Sequence, residues 1–215
     1  MRVVLTGGLK RSTVGVRSYQ GRGKTVDLEG NINLRCNVKR GVCIVECLDE
    51  GDPGSEGRVL REIFNLMEVE SKLIRVASID RLLHALSDNE FQHVHITTHG
   101  TVTDDKKFKG WWTPNGVGSK RMVNKHQVVL SCTSLVSTAC LSGSKGFAKH
   151  VTGVWGSKYY IAPTGSPRFH NAALFSHIYY HKLFGSKGTV FKAFSSYMKS
   201  YTNPHNFTLF ERDDR

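Results

Sequence analysis

Two short apolar runs in this chain end on residues whose types suit joint chemistry. FQHVHITTHG closes on His99-Gly100, and SLVSTACLSG carries Cys140. A cysteine thiol with a pKa near ~8.5 is mostly protonated at neutral pH and becomes a good nucleophile only beside a base or a positive group. An imidazole serves both needs. It accepts the thiol proton or pairs with the thiolate, and later returns a proton to a leaving amine. Gly100 lets the backbone turn sharply and bring its N–H close to a substrate carbonyl. A helix opening after Cys140 would place further N–H groups and a positive dipole end beside the thiolate.

Positioning these groups requires strands. From Gly41 the chain alternates between strand-like and helical runs. GVCIVECL predicts a strand and LDEGDPGSEG a loop. GRVLREIFNLM predicts a helix with Val59, Leu60, Ile63, Phe64 and Met67 on one face. SKLIRVASI is a second strand, and IDRLLHALSD a second helix with Ile79, Leu82, Leu83 and Leu86 on one face. FQHVHITTHG is the third strand. This spacing argues for right-handed crossovers and a parallel sheet. Residues 101–127 interrupt the rhythm with a polar, lysine-rich connection around Trp111-Trp112, a length that is usually functional or mobile. QVVLSCTSLVSTAC, SGSKGFAKHV, YYIAPTG, RFHNAALFSHIYYHKLF and TVFKAFSSYMKSY then predict strand, helix, strand and two helices. Residues 1–40, glycine-rich and basic, read as a hairpin or arm on the body formed by 41–215. The expected fold class is α/β: a three-layer α/β/α sandwich with a mostly parallel sheet of about six strands. Consecutive parallel strands would deliver His99 and Cys140 to one crevice beyond their carboxyl ends, where open α/β sheets bind ligands.

Rival sites are weaker. Cys132 also ends an apolar run, but more strand-like sequence follows it and no Gly-containing turn opens a helix. His93 and His95 form an H-x-H, and with His99 they lack a ligand set of zinc-site spacing, so a polar strand face is expected and no metal. No phosphate-binding loop pattern is present; GLKRS and GRGK read as solvated basic turns. The tryptophan pair reads better as a cap on the core than as a stacking platform.

The segment resembles the caspase-like fold and, within it, the CHAT proteases. FQHVHITTHG is similar to the family's strand ending in His-Gly, STACLSG to its strand ending in Ala-Cys-x-Thr/Ser-Gly, and the downstream order fits to about Tyr201. By that resemblance His99 is the catalytic histidine, Cys140 the nucleophile, and Gly100 an oxyanion-hole donor together with the turn at Cys140. The family commonly works as a dyad, so no third member is assigned. Thr164 to Arg168 corresponds to one wall of the pocket for the residue before the cut. Arg168 matches a caspase arginine that holds an acidic side chain, whereas many CHAT members carry an acid about there. The alternative selectors are Asp49 and Asp52, with Glu50, in the loop after the first strand, where acids would favour a basic side chain. The resemblance implies an endopeptidase acting through a thioester on a protein substrate. It also implies regulated proteolysis such as microbial defence or cell death, an activator encoded alongside, and no cofactor.

Composition bounds the rest. With 215 residues, one substantial domain is expected. No apolar run approaches the roughly 20 residues that span a bilayer. The N-terminus is a poor signal peptide, so cytoplasmic residence is the default expectation. Five cysteines without a C-x-x-C pair suit free thiols in a reducing compartment. The net charge of +12 is scattered along the chain. It favours acidic partners, including nucleic acid, although no nucleic-acid motif sharpens that reading. The alternative function is therefore a catalytically silent caspase-like module whose basic surface holds an acidic protein or nucleic acid.

Overall fold

β3 (Lys39–Glu46) reads KRGVCIVE, and all six residues from Gly41 to Glu46 are buried. A run apolar on both faces suits a parallel strand covered by helices above and below. In the computed structural model, which describes residues 25–26, 32–33, 38–119, 129–185, 188–202 and 206–213, β3 is an inner strand of a six-stranded sheet. The other strands are β4 (Ser71–Arg75), β5 (Phe91–Thr97), β9 (Ser134–Ser137), β10 (Tyr159–Pro163) and β11 (Phe207–Glu211), in the order β11-β10-β9-β5-β3-β4. All neighbours run parallel except β11, which pairs antiparallel with β10.

Side chains alternate across β3 and feed two cores. On one face Val42 and Ile44 meet α1 (Glu56–Leu66), α4 (Phe169–Gly185) and α5 (Val190–Ser200), through Leu60, Phe64, Phe175, Tyr180 and Tyr197. On the other, Cys43 and Val45 meet α2 (Ile79–Ser87) and α3 (Lys145–Gly153), through Leu82, Leu86, Phe147 and Val151. The four predicted α2 residues are all buried, whereas Val59 of α1 is exposed and the buried stripe of that helix centres on Leu60 and Phe64. A mixed α/β architecture with a mostly parallel six-stranded sheet between helices is therefore present.

The connection expected to be irregular is not. β6 (Gly100–Val102), β7 (Phe108–Thr113) and β8 (Gly116–Ser119) form an antiparallel sheet of their own. The hairpin turns at Pro114-Asn115, the two residues between the paired Thr113 and Gly116, with proline first and glycine just after, a turn pattern that the polar composition hides. Gly116 takes a φ of +141°, which a side chain would strain. Trp111 is fully buried and caps the core as expected, while 120–128 lie outside the described residues.

Of the N-terminal 1–40 segment, most lies outside the described residues. Within it β1 (Thr25–Val26) pairs antiparallel with β2 (Ile32–Asn33), and residues 37–215 form a separate unit.

Candidate active site

Strand order locates the crevice. β3 is followed in space by β4 on one side, and the chain then returns across β3 to place β5 on the other. The order reverses between β3 and β5, and open α/β sheets bind ligands at such reversals, beyond the strands' carboxyl ends. The loop after β3 holds Asp52, and the residues after β5 hold His99. Register extends the argument to β9. Ile96 pairs with Ser137, so His99 and Cys140 each lie three residues beyond the same rung. Their backbones touch: a Cβ on Gly100 would collide with the Cys140 carbonyl oxygen and stand 3.1 Å from its nitrogen. Glycine is demanded at position 100 by this close approach.

His99 is held on three sides. Its Nε2 lies 2.7 Å from Asp52 Oδ1. The Trp112 and Phe169 rings stand edge-on to the imidazole, with centroids 5.7 and 5.6 Å away. The Trp112 N–H donates to the His99 carbonyl at 2.9 Å, and the Thr98 hydroxyl donates to the Trp112 carbonyl. Asp52 itself is fixed, because its Oδ2 accepts the Asp49 N–H at 2.7 Å. Both oxygens of Asp52 are thus engaged. The structure makes it a partner of the imidazole, a role the sequence reading did not assign, and not an unpaired acid awaiting a basic substrate. Asp49 is exposed, and its Oδ1 accepts the Glu50 N–H.

Cys140 sits in a tight turn and is partly accessible, while Cys43, Cys47 and Cys132 are buried. Its Sγ lies 4.0 Å from the Pro167 carbonyl oxygen. Leu141 adopts a φ of +60°, a left-handed conformation that is strained for a residue with a Cβ and recurs at functional turns. The turn is pinned by Leu141 N–H to Gly165 O and Gly143 N–H to Pro163 O, both 2.8 Å. Beneath it, Ser137 Oγ accepts from Trp111 Nε1 and from the Ser142 hydroxyl, each at 3.0 Å. Helix α3 starts only at Lys145, so its first turn is not adjacent to the thiol as expected. Among the described residues nothing accepts from the Cys140 N–H, which leaves it able to donate.

Arg168 is exposed between Pro167, which approaches Cys140 Sγ, and Phe169, which faces His99. Its carbonyl accepts from Asn171 and Ala172 and starts α4. Thr164 to Arg168 thus passes the cysteine.

Sequence reasoning did not find the group beneath this crevice. Glu56, in the first turn of α1, is buried, and its Oε2 accepts from Thr97 Oγ1 at 2.7 Å and Thr138 Oγ1 at 2.9 Å. Its Oε1 faces His95 Nε2 at 3.3 Å and Ser176 Oγ at 3.1 Å. Thr97 precedes His99 by two residues and Thr138 precedes Cys140 by two, so one carboxylate ties both strand ends to α4. Burial works to raise its pKa, but the hydrogen bonds and charge of His95, with those of Thr97 and Thr138, hold it below the ordinary value. The position in the first turn of a helix adds to that preference for negative charge. A second buried carboxylate, Glu46, accepts from Ser55 Oγ, Gly57 N–H and Arg75 Nε at 2.7, 2.7 and 3.0 Å, and fixes the end of the loop bearing Asp52.

The rival residues fall elsewhere. Cys132 lies just before β9, at the opposite end from Cys140, and burial pushes its thiol up to about 11. Burial does the same to Cys43 and Cys47. His93 and His95 are not an exposed polar face. They are buried against Phe184 and Tyr180 of α4. Among the described residues no group of three potential metal ligands converges, and no helix is long and apolar enough to cross a membrane.

No known family model matches this chain, and no curated protein does.

Proposed function

We propose that the chain is a caspase-like cysteine endopeptidase of the CHAT type. The observation that carries this reading is the contact of the His99-Gly100 backbone with Cys140, beside an imidazole already oriented by Asp52. With Nε2–H donated to the Asp52 carboxylate, Nδ1 is the nitrogen left to take the thiol proton. The thiolate attacks the scissile carbonyl, and the N–H groups of Gly100 and Cys140 receive the developing oxyanion. His99 then protonates the leaving amine, and water hydrolyses the thioester while His99 acts as base. Asp52 would stabilise the imidazolium and hold its tautomer, as an orienting carboxylate does in hydrolase triads. Arg168, exposed beside the cysteine, would favour an acidic side chain before the cut. The cellular setting that goes with this class is regulated proteolysis of a protein substrate in a cytoplasmic context, with defence or cell death as its purpose.

The test is peptide hydrolysis by purified protein and by Cys140→Ala, His99→Ala and Cys132→Ala. The first two lose activity and remain folded, because both side chains are partly exposed and not part of the core, and the third retains it. Hydrolysis that survives in Cys140→Ala overturns the assignment.

A further inference from the structure

The opposite end of the same strands carries a cleft that the proposed chemistry does not use. It measures about 410 Å³ and is lined by Arg40, Gln92, His93, Thr133, Lys158 and Thr189, with aromatic walls from Tyr159 and Phe184. Arg40 lies at the start of β3, Gln92 and His93 at the start of β5, and Thr133 and Lys158 just before β9 and β10. Four parallel strands therefore begin around it. Gly188, Thr189 and Val190 bring the first turn of α5 to the same rim.

The chemistry of this lining has one sign. Arg40 and Lys158 are cations, and no carboxylate is among the lining residues. His93 is 3% exposed. Its Nδ1 is 2.8 Å from Ser134 Oγ, and Nε2 has no protein partner among the described residues. In the first turn of α5 the Lys192 N–H is capped by Thr189 Oγ1 at 3.3 Å, while the amides of Val190 and Phe191 have no acceptor within the helix and stand at its positive dipole end. Arg, Lys, an imidazole nitrogen and a helix N-terminus together match a multiply charged oxyanion, and Arg pairs with such groups through two N–H bonds at once. The volume falls in the range of small-molecule sites, roughly 300–1,000 Å³, and exceeds what a bare phosphate fills. Tyr159 and Phe184 offer ring surface for the remainder of a ligand.

We propose that this cleft binds a phosphorylated small molecule, its phosphate between Arg40, Lys158 and His93 and its apolar or planar part against Tyr159 and Phe184. The site lies away from Cys140, and its occupancy is read without reference to peptidase activity. The full chain is titrated with inorganic phosphate, AMP and acetate by calorimetry, with the His93 ring signals followed by NMR. AMP binds and moves the His93 signals, phosphate binds more weakly, and acetate does not compete. Arg40→Ala/Lys158→Ala, both at exposed positions, stays folded and loses roughly tenfold or more in AMP affinity, the scale of one hydrogen bond to a charged group. The charge-matched control Lys72→Ala/Lys109→Ala keeps it. The proposal is overturned by AMP binding equal in both double variants, which is attraction to the basic surface alone. Phosphate binding as tightly as AMP, or neither ligand moving the His93 signals, overturns it as well.

Discussion

The two ends of the parallel strands handle charge differently. At the carboxyl ends, Glu46, Glu56 and Asp52 are buried or nearly so, and every oxygen of the three accepts a hydrogen bond. At the amino ends around β5, the cleft is lined by Arg40 and Lys158, and among the described residues one nitrogen of the buried His93 imidazole has no hydrogen-bond partner. Two histidines a dipeptide apart on β5 make the contrast local. His95 faces the Glu56 carboxylate through Nε2 and the Tyr180 hydroxyl through Nδ1, whereas among the described residues His93 hydrogen-bonds only Ser134. Carboxylates saturated by donors fix a crevice in one geometry. A cationic cleft with few internal partners is left to find its counter-charge in a ligand.

The sharpest break of this contrast is Glu56→Ala. Removing the acceptor strands the Thr97 and Thr138 hydroxyls and the His95 N–H in the interior, and a buried network losing its charged partner costs about 3–5 kcal/mol. Denaturant unfolding should show that loss. A cost under about 1 kcal/mol, the value of an exposed pair, would mean that the carboxylate does not hold the strand ends.

The His93 side predicts an acid effect of slightly smaller size. Burial, helped by the Arg40 charge, lowers its pKa to about 4 from an ordinary 6.5. Between those values the unfolded chain binds a proton that the folded chain refuses, so stability falls as pH drops from 6.5 towards 4. The full span corresponds to about 3 kcal/mol. Glu56, held below its ordinary value, loses its contribution in the same direction but further into acid, as pH falls through its folded pKa. Unfolding free energy that is flat between pH 6.5 and 5 would contradict the assignment to His93.

Gly100→Ala comes next. The added Cβ meets the Cys140 carbonyl oxygen, which is backbone and cannot swing away. Overpacking of this kind costs about 1–3 kcal/mol, and the accompanying shift of the Cys140 turn should abolish hydrolysis. An active Gly100→Ala would show that the two backbones do not need this contact. The smallest effect is on selectivity. Arg168→Ala should weaken a preference for acidic residues before the cut in peptide-library profiling and leave folding unchanged. Asp49→Ala should do neither, since Asp49 serves its own loop. A preference for Arg or Lys that disappears only in Asp49→Ala would put the selecting charge on the other wall.

The sequence disclosed strands better than their ends. Continuous apolar runs such as GVCIVE and the His99 and Cys140 termini were legible because a two-sided parallel strand and a chemical side chain both leave local patterns. The β6–β8 sheet was hidden by polar composition, although Pro114-Asn115 followed by Gly116 marks its turn. β11 escaped because FTLF is short and follows a helix after only a few residues. Glu56 left no local signal at all, since a carboxylate in the first turn of a helix ordinarily faces solvent. Its partners at positions 95, 97, 138 and 176 come together only in the folded sheet. The pairing of Asp52 with His99 was hidden by the same cause: an acid in a loop declares its charge but not its partner.

On the proposed reading, Cys140 and His99 act as one unit at the carboxyl end of the sheet. The direct measurement is the rate at which an electrophilic peptide alkylates each thiol, resolved by mass, in the wild-type chain and in His99→Ala. Exposure alone makes Cys140 faster than the buried Cys43, Cys47 and Cys132, so the deciding comparison is between the two proteins. Coupling to the imidazole predicts that Cys140 alkylation near neutral pH slows markedly in His99→Ala, by roughly tenfold or more, the lower range of general-base assistance being about a hundredfold. An unchanged Cys140 rate in His99→Ala would contradict the account.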